Sequence, residues 1–165
     1  MLDIKPFQET LHTGYCGPAS LKIALSYYNV EKEEKELAEL CNVSKELGTN
    51  DKSLKKAAEE LGFKVEIQNF CEYSDLERWL RKGVPVIVDW FTRGRSDYSD
   101  SEVADGHYSV VIGIDEKNIY LQDPEIGRTR AINRKDFMRV WFDFAGECIE
   151  SWNKMIIRQL IAIYK

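Results

Sequence analysis

Excess positive charge, paired cysteines and long apolar segments are all missing from this chain of 165 residues. Its net charge of −5 and pI near 5.2 argue against non-specific binding to nucleic acid or to an anionic membrane surface, because both need a basic surface. The apolar runs Val84–Phe91 and Met155–Tyr164 fall far short of the ~20 residues of a membrane-spanning helix, so we expect no membrane insertion. Residues 1–6 contain no apolar core of a signal peptide, and we therefore expect a cytoplasmic protein.

Closely spaced cysteines, which zinc sites and thioredoxin-like redox centres require, are also absent. The chain has four cysteines, and none forms a C-x-x-C pair: Cys16, Cys41, Cys71 and Cys148. In a reducing compartment we expect four free thiols, and we expect neither a metal nor a cofactor. Cys41 lies on an apolar helix face, and nothing near Cys71 or Cys148 in the sequence would activate a thiol.

Helical periodicity dominates the first half of the chain, and strand patterns dominate the second half. We predict helices at Tyr15–Asn29, Glu33–Cys41, Asp51–Leu61, Tyr73–Arg81 (with Ser74 as N-cap) and near Arg134–Phe144. We predict strands at Lys64–Gln68, Val84–Phe91, Tyr108–Ile114, Ile119–Gln122, Thr129–Ile132 and Met155–Tyr164. This order predicts an α+β fold rather than a doubly wound sheet. The length predicts one domain spanning residues 1–165.

Cys16 differs from the other cysteines because it lies where the first predicted helix begins, between Gly14-Tyr15 and Gly17-Pro18. The unpaired N–H groups and the dipole of a helix start stabilise an anion, so a thiol there gains thiolate character. The neighbouring glycines let a substrate carbonyl approach, and the Cys16 N–H can donate to a developing oxyanion. A buried structural role is commoner for a cysteine, but only Cys16 has a setting that favours reactivity.

A thiolate nucleophile needs an imidazole as its base, and the chain has two histidines. His12 precedes the predicted helix, and the sequence around it predicts no element that would hold its ring. His107 follows Gly106 and opens a predicted strand, where the ring can be held at the edge of a cleft. His107 is therefore the better candidate.

A carboxylate is the usual partner that orients such an imidazole. Asp115 lies on the same strand, about 26 Å away if the strand is straight, and is excluded. If residues 113–117 form a five-residue hairpin loop, Val111 pairs with Ile119, and His107 lies opposite Asp123. A tighter turn at Lys117-Asn118 would shift this register.

Other residues have less specific signals. Gln8 lies on an irregular segment before Cys16, and its side-chain amide is a candidate second oxyanion donor. The polar stretch 92–106 is a candidate lid or specificity loop, and its acidic part, Asp97–Asp105, lacks the ligand spacing of an EF-hand cation site. Four aromatic residues can either line a cleft or pack in the core: Trp90, Phe91, Tyr108 and Trp141.

Taken in order, these segments resemble the C39-type and C39-like cysteine peptidases, a branch of the papain-like fold. The matching positions are Gln8, Gly14–Leu21, Leu37–Leu40, Gly83–Val88, Gly106–Tyr108, Asp123-Pro124 and Gly127. The resemblance implies a papain-like fold in which Cys16 is the nucleophile and His107 the general base and acid. It further implies that Asp123 orients His107 and that Gln8 stabilises the oxyanion.

The transporter-fused members of that family cut leader peptides after a double glycine, and they often have aspartate where this chain has Tyr15. The chain is more similar to the stand-alone C39-like group. We therefore expect a thiol hydrolase of peptide or amide bonds. Two alternatives stay open: a papain-fold acyltransferase or transglutaminase-like enzyme, and a non-catalytic peptide-binding domain.

Overall fold

The computed structural model describes residues 1–44, 48–92, 106–144 and 155–165. The helices are α1 (Cys16–Ser26), α2 (Glu34–Leu40), α3 (Asp51–Glu60), α4 (Tyr73–Arg81) and α5 (Arg134–Val140). The strands are β1 (Lys64–Gln68), β2 (Val86–Phe91), β3 (Gly106–Ile114), β4 (Asn118–Asp123), β5 (Arg128–Asn133), β6 (Phe142–Phe144), β7 (Met155–Ile157) and β8 (Leu160–Tyr164). The predicted α+β order is confirmed.

Six of these strands form one antiparallel sheet in the order β1-β8-β2-β3-β4-β5, while β6 and β7 form a separate pair. Helices α1, α2 and α3 pack on one face of the large sheet, and α4 and α5 pack on the other. The central strand β2 is buried on both faces, which explains why all its residues except Asp89 are apolar. Among the described residues, no helix has the length and apolar character needed to cross a membrane.

Helix α1 lies against the sheet through a continuous set of buried residues from Gly17 to Leu25. Gly17 allows a close approach, since a Cβ atom there would come within 2.9 Å of the Thr49 Cβ. Tyr15 caps the helix without a side-chain hydrogen bond, so no capping side chain occupies the N–H groups of the first turn. The helix therefore presents Cys16 at an N-terminus that faces the sheet.

Three local predictions need correction. The N-cap of α4 is Glu72 rather than Ser74, because Glu72 and Asp75 form a reciprocal capping box. The helix predicted near Arg134–Phe144 ends at Val140 and gives way to β6. The strand predicted at Met155–Tyr164 is divided into β7 and β8, because Arg158 adopts a left-handed backbone conformation with φ 47°. The proposed acidic loop Asp97–Asp105 and Cys148 lie outside the described residues.

Candidate active site

Strands β3 and β4 hold an imidazole and a carboxylate in direct contact. His107 Nε2 lies 2.8 Å from Asp123 Oδ1, and both side chains are almost completely buried. The Glu125 N–H also donates to Asp123 Oδ1 at 3.0 Å, and Arg130 Nε donates to Oδ2 at 2.7 Å. Asp123 therefore accepts from three donors, which stabilises its carboxylate and fixes the imidazole ring beside it.

A β-bulge determines that these two side chains share a face of the sheet. The hairpin turn is tight, with Ile114 opposite Ile119, and the register shifts by one residue between Val111 and Gly113. Without that shift, His107 and Asp123 would point to opposite faces, because side chains alternate along a strand. The predicted pairing of Val111 with Ile119 is wrong, since Val111 pairs with Leu121. In the observed register, His107 and Asp123 are diagonal neighbours instead of directly opposed residues.

Cys16 completes this arrangement from the other side of the imidazole. Its half-buried side chain hydrogen bonds to His107. Burial alone would lower the pKa of His107, but the charge and hydrogen bond of Asp123, followed by those of Cys16, raise this pKa well above its usual value of 6.5. A proton can therefore pass from the thiol to an imidazole that is stabilised in its charged form.

Gln8 contacts the turn that follows β4. Its side chain is exposed, and Nε2 donates to the Glu125 carbonyl at 3.3 Å. Gly127 makes room for Gln8, because a Cβ atom at position 127 would fall 2.6 Å from the Gln8 Cβ. Gly127 also adopts φ 62°, a backbone conformation that favours glycine. The structure thus brings together Cys16, His107 and Asp123, and it places Gln8 against the turn beside Asp123.

Two charged residues of this region are not apparent from the sequence. Arg130 reaches Asp123 from β5, and only the β4–β5 register reveals that contact. Glu9 is buried beside the same turn, where its N–H donates to the Pro124 carbonyl at 2.9 Å. Burial raises the pKa of Glu9 from 4.5 to about 7, and the nearby carboxylates add to this while His107 opposes it. No local sequence pattern distinguishes Glu9 from an exposed glutamate.

We expect Glu9 to make the stability of the protein depend on pH. Between pH 4.5 and about 7 the folded protein keeps a proton on Glu9 that the unfolded chain releases, so the free energy of unfolding falls as pH rises through this window. Glu9→Gln removes that loss. We therefore compare the free energies of unfolding of Glu9→Gln and wild type, measured with urea. The difference, variant minus wild type, should be more positive at pH 8 than at pH 5 by about 2–3 kcal/mol. An equal difference at the two pH values would contradict this, and Glu36→Gln is the exposed control.

Comparison with known proteins identifies the family and the fold. The sequence profile of the Peptidase C39 family matches residues 7–150, which confirms the resemblance inferred from the motifs. An uncharacterized protein of Methanothermobacter marburgensis is 37% identical over 130 residues, covering 78% of each chain. The peptidase domain of Streptococcus ComA, a bi-functional ABC transporter of a quorum-sensing pathway, superposes with a TM-score of 0.73 at 20% identity, covering 97% of each chain. A double glycine motif protease of an AMS/PCAT transporter, solved with a leader peptide, gives a TM-score of 0.68 at 21% identity, covering 98% of this chain and 91% of its own.

Proposed function

Because the chain belongs to the peptidase C39 family and has its cysteine peptidase fold, we propose that it is a thiol hydrolase of peptide or amide bonds. The observation that carries this proposal is the continuous hydrogen-bonded series from Cys16 through His107 to Asp123. We further propose that residues 1–165 form a single domain. The N-terminal segment supports this, since the Leu2 N–H donates to the Ile112 carbonyl of β3 at 2.6 Å.

In the proposed reaction, His107 takes the proton of Cys16, and the sulfur attacks the substrate carbonyl. The negative charge on the carbonyl oxygen is stabilised by the Cys16 N–H and by Gln8. A side-chain amide has two N–H bonds, so one can remain on the Glu125 carbonyl while the second donates to the oxyanion. His107 then protonates the departing amine. Water, deprotonated by His107, hydrolyses the thioester and restores the free thiol.

A peptide is the proposed substrate class. The structurally similar double glycine motif protease was solved with a leader peptide, which supports a peptide-binding cleft in this fold. Transfer of the acyl group to an amine instead of water uses the same thioester. An added amine that diverts product from hydrolysis would identify an acyltransferase.

The first test is labelling followed by a peptide-library cleavage screen. Iodoacetamide at neutral pH should alkylate Cys16, whereas burial raises the pKa of Cys41 to about 12 and that of Cys71 to about 11 and should leave both unmodified. Mass spectrometry assigns the site. Wild-type protein should cleave library peptides, and Cys16→Ala should cleave none. Equal cleavage by the two proteins would show that Cys16 is not the nucleophile.

The same cleavage assay tests Gln8. Loss of one oxyanion donor typically costs about 2.7–4 kcal/mol, so Gln8→Ala should lower turnover by about two to three orders of magnitude. Its thermal stability should change little, because the Gln8 side chain is exposed. Unchanged turnover would exclude the amide of Gln8 as an oxyanion donor.

A further inference from the structure

Residues 2–10 form an N-terminal strap that lies along β3 and β4 and ends beside the active site. At the beginning of the strap, the Leu2 N–H donates to the Ile112 carbonyl at 2.6 Å. Further along, Gln122 Nε2 donates to the Ile4 carbonyl at 2.6 Å. The beginning of the strap is therefore attached to the sheet independently of its end.

The end of the strap carries Gln8 and is held by polar contacts on two sides. The Glu9 N–H donates to the Pro124 carbonyl at 2.9 Å, beside the contact of Gln8 with the same turn. On the other side, the N–H and the hydroxyl of Thr10 donate to the Glu34 carboxylate of α2 at 2.9 and 2.6 Å. The position of the Gln8 amide therefore depends on whether this short end stays in place.

Glu9 is the buried residue at this end, with only 8% of its surface exposed. Its carboxyl group forms no hydrogen bond or ion pair with the part of the chain that the structure describes. The charged groups that act on it come from β3, from β4, from the turn after β4 and from α2: His107, Asp123, Glu125 and Glu34. Only the first of these favours the anion. An ionised Glu9 is therefore better accommodated in water than in this position.

We propose that Glu9 is a positioning residue for Gln8: its protonated form keeps the end of the strap on the turn after β4, and its ionised form releases that end into solvent. Because the beginning of the strap has its own hydrogen bonds to the sheet, the release is local. Once released, the Gln8 amide no longer reaches the oxyanion. The inference rests on the proposed hydrolase function, and it adds that the oxyanion donor is withdrawn as the pH rises through the pKa of Glu9, about 7.

Two reagents that react with the same thiolate test this without knowledge of the substrate. With 4-nitrophenyl acetate, the Cys16 sulfur bonds to the acetyl carbon through a tetrahedral oxyanion, and 4-nitrophenolate leaves. With iodoacetamide, the sulfur displaces iodide and no oxyanion forms. The ratio of the acylation rate to the alkylation rate therefore measures oxyanion stabilisation, because the fraction of thiolate cancels. Cys148→Ser is the background, and Cys16→Ala is the blank.

The ratio should depend on pH only where Glu9 can ionise and Gln8 is present. With both residues intact, it should fall by about tenfold or more between pH 6 and pH 9. Glu9→Gln cannot ionise and should keep its ratio across this range. Gln8→Ala should have a low ratio at both pH values. Glu36→Gln, which changes an exposed glutamate of α2, is the matched control and should follow the intact protein.

Hydrogen exchange measures the release of the strap itself. After correction for base catalysis, protection of the Glu9 N–H relative to the Leu2 N–H should fall by about tenfold or more from pH 6 to pH 9. In Glu9→Gln the relative protection of the two amides should stay constant. Relative protection that does not change with pH in the intact protein would contradict a local release.

The proposal is overturned by a ratio that stays constant in the intact protein, or by an equal fall in Glu9→Gln. A fall of the same size in Gln8→Ala also overturns it, because pH would then act through another group of the site. Thermal melts establish that the variants fold, and Glu9→Met, which also cannot ionise, replaces Glu9→Gln if needed. Alkylation of Cys16 with a constant ratio contradicts the positioning role alone, whereas absence of alkylation contradicts the proposed hydrolase and this inference with it.

Discussion

Asp123→Asn should lower peptide turnover by roughly two to four orders of magnitude. The carboxylate holds the imidazole 2.8 Å away, and its charge is the main influence that raises the pKa of His107. An asparagine keeps the shape but removes that charge, so the pKa of His107 should fall and less of the imidazolium should form at neutral pH. Titration of the His107 ring by NMR measures this fall directly.

The same variant should also be less stable. Arg130 donates to Asp123 Oδ2, and its side chain is only 9% exposed. If the asparagine oxygen accepts from His107, its NH₂ group faces the guanidinium, and two donors then meet with no acceptor between them. Removing one partner of a buried ion pair typically costs about 3–5 kcal/mol.

Arg130→Met separates stability from chemistry. It breaks the same buried pair, so a similar loss of stability is expected, but it keeps the hydrogen bond between His107 and Asp123. Turnover, measured at a temperature where each variant is folded, should therefore fall much less than in Asp123→Asn. Equal turnover losses in the two variants would show that Asp123 acts through folding rather than through His107.

Local elements of the fold could be predicted from the sequence because their causes are local. The bounds predicted for α4 and β1 match the structure, and α1 begins one residue later than predicted. The start of α1 is determined by neighbouring residues, among them Pro18 in its first turn. That is why Cys16 could be placed at a helix N-terminus before any contact was known.

The pairing of His107 with Asp123 was predicted through an incorrect register. The assumed five-residue loop pairs Val111 with Ile119, whereas the observed tight turn and bulge pair Val111 with Leu121. The two registers therefore differ by two residues. A shift of two residues preserves the side-chain face, whereas a shift of one reverses it. The incorrect register therefore still placed His107 and Asp123 on the same face of the sheet. The bulge itself had no clear signal in the sequence.

Contacts between distant segments could not be predicted. Asp89 looks like an interruption of the apolar strand β2, and its partner Asp143 comes from a strand that the sequence pattern assigned to a helix. Arg130 and Glu9 become part of the site only once β5 and the N-terminal segment are placed beside Asp123. Each of these contacts depends on strand order and register, which periodicity does not specify.

Trp90 connects the core to the site and is the second residue whose loss should have a large effect. Of the four aromatic residues considered from the sequence, Trp90, Tyr108 and Trp141 lie in the core. The Trp90 ring is fully buried, and its Nε1 donates to Ser109 Oγ at 3.0 Å. The Trp90 and His107 rings form a T-shaped pair with centroids 5.9 Å apart. Trp90→Ala should lower the free energy of unfolding by about 3–5 kcal/mol and release the imidazole on that side.

Phe137→Ala is the matched control, because Phe137 is equally buried and packs on Trp90 without a ring contact to His107 among the described residues. It should destabilise the protein by a similar amount, about 3–5 kcal/mol. At a temperature where both variants are folded, kcat should fall by at least about tenfold in Trp90→Ala and remain near wild type in Phe137→Ala. Because the two cavities are comparable, a parallel loss of kcat would mean that general loosening of the core, and not support of His107 by Trp90, controls the reaction.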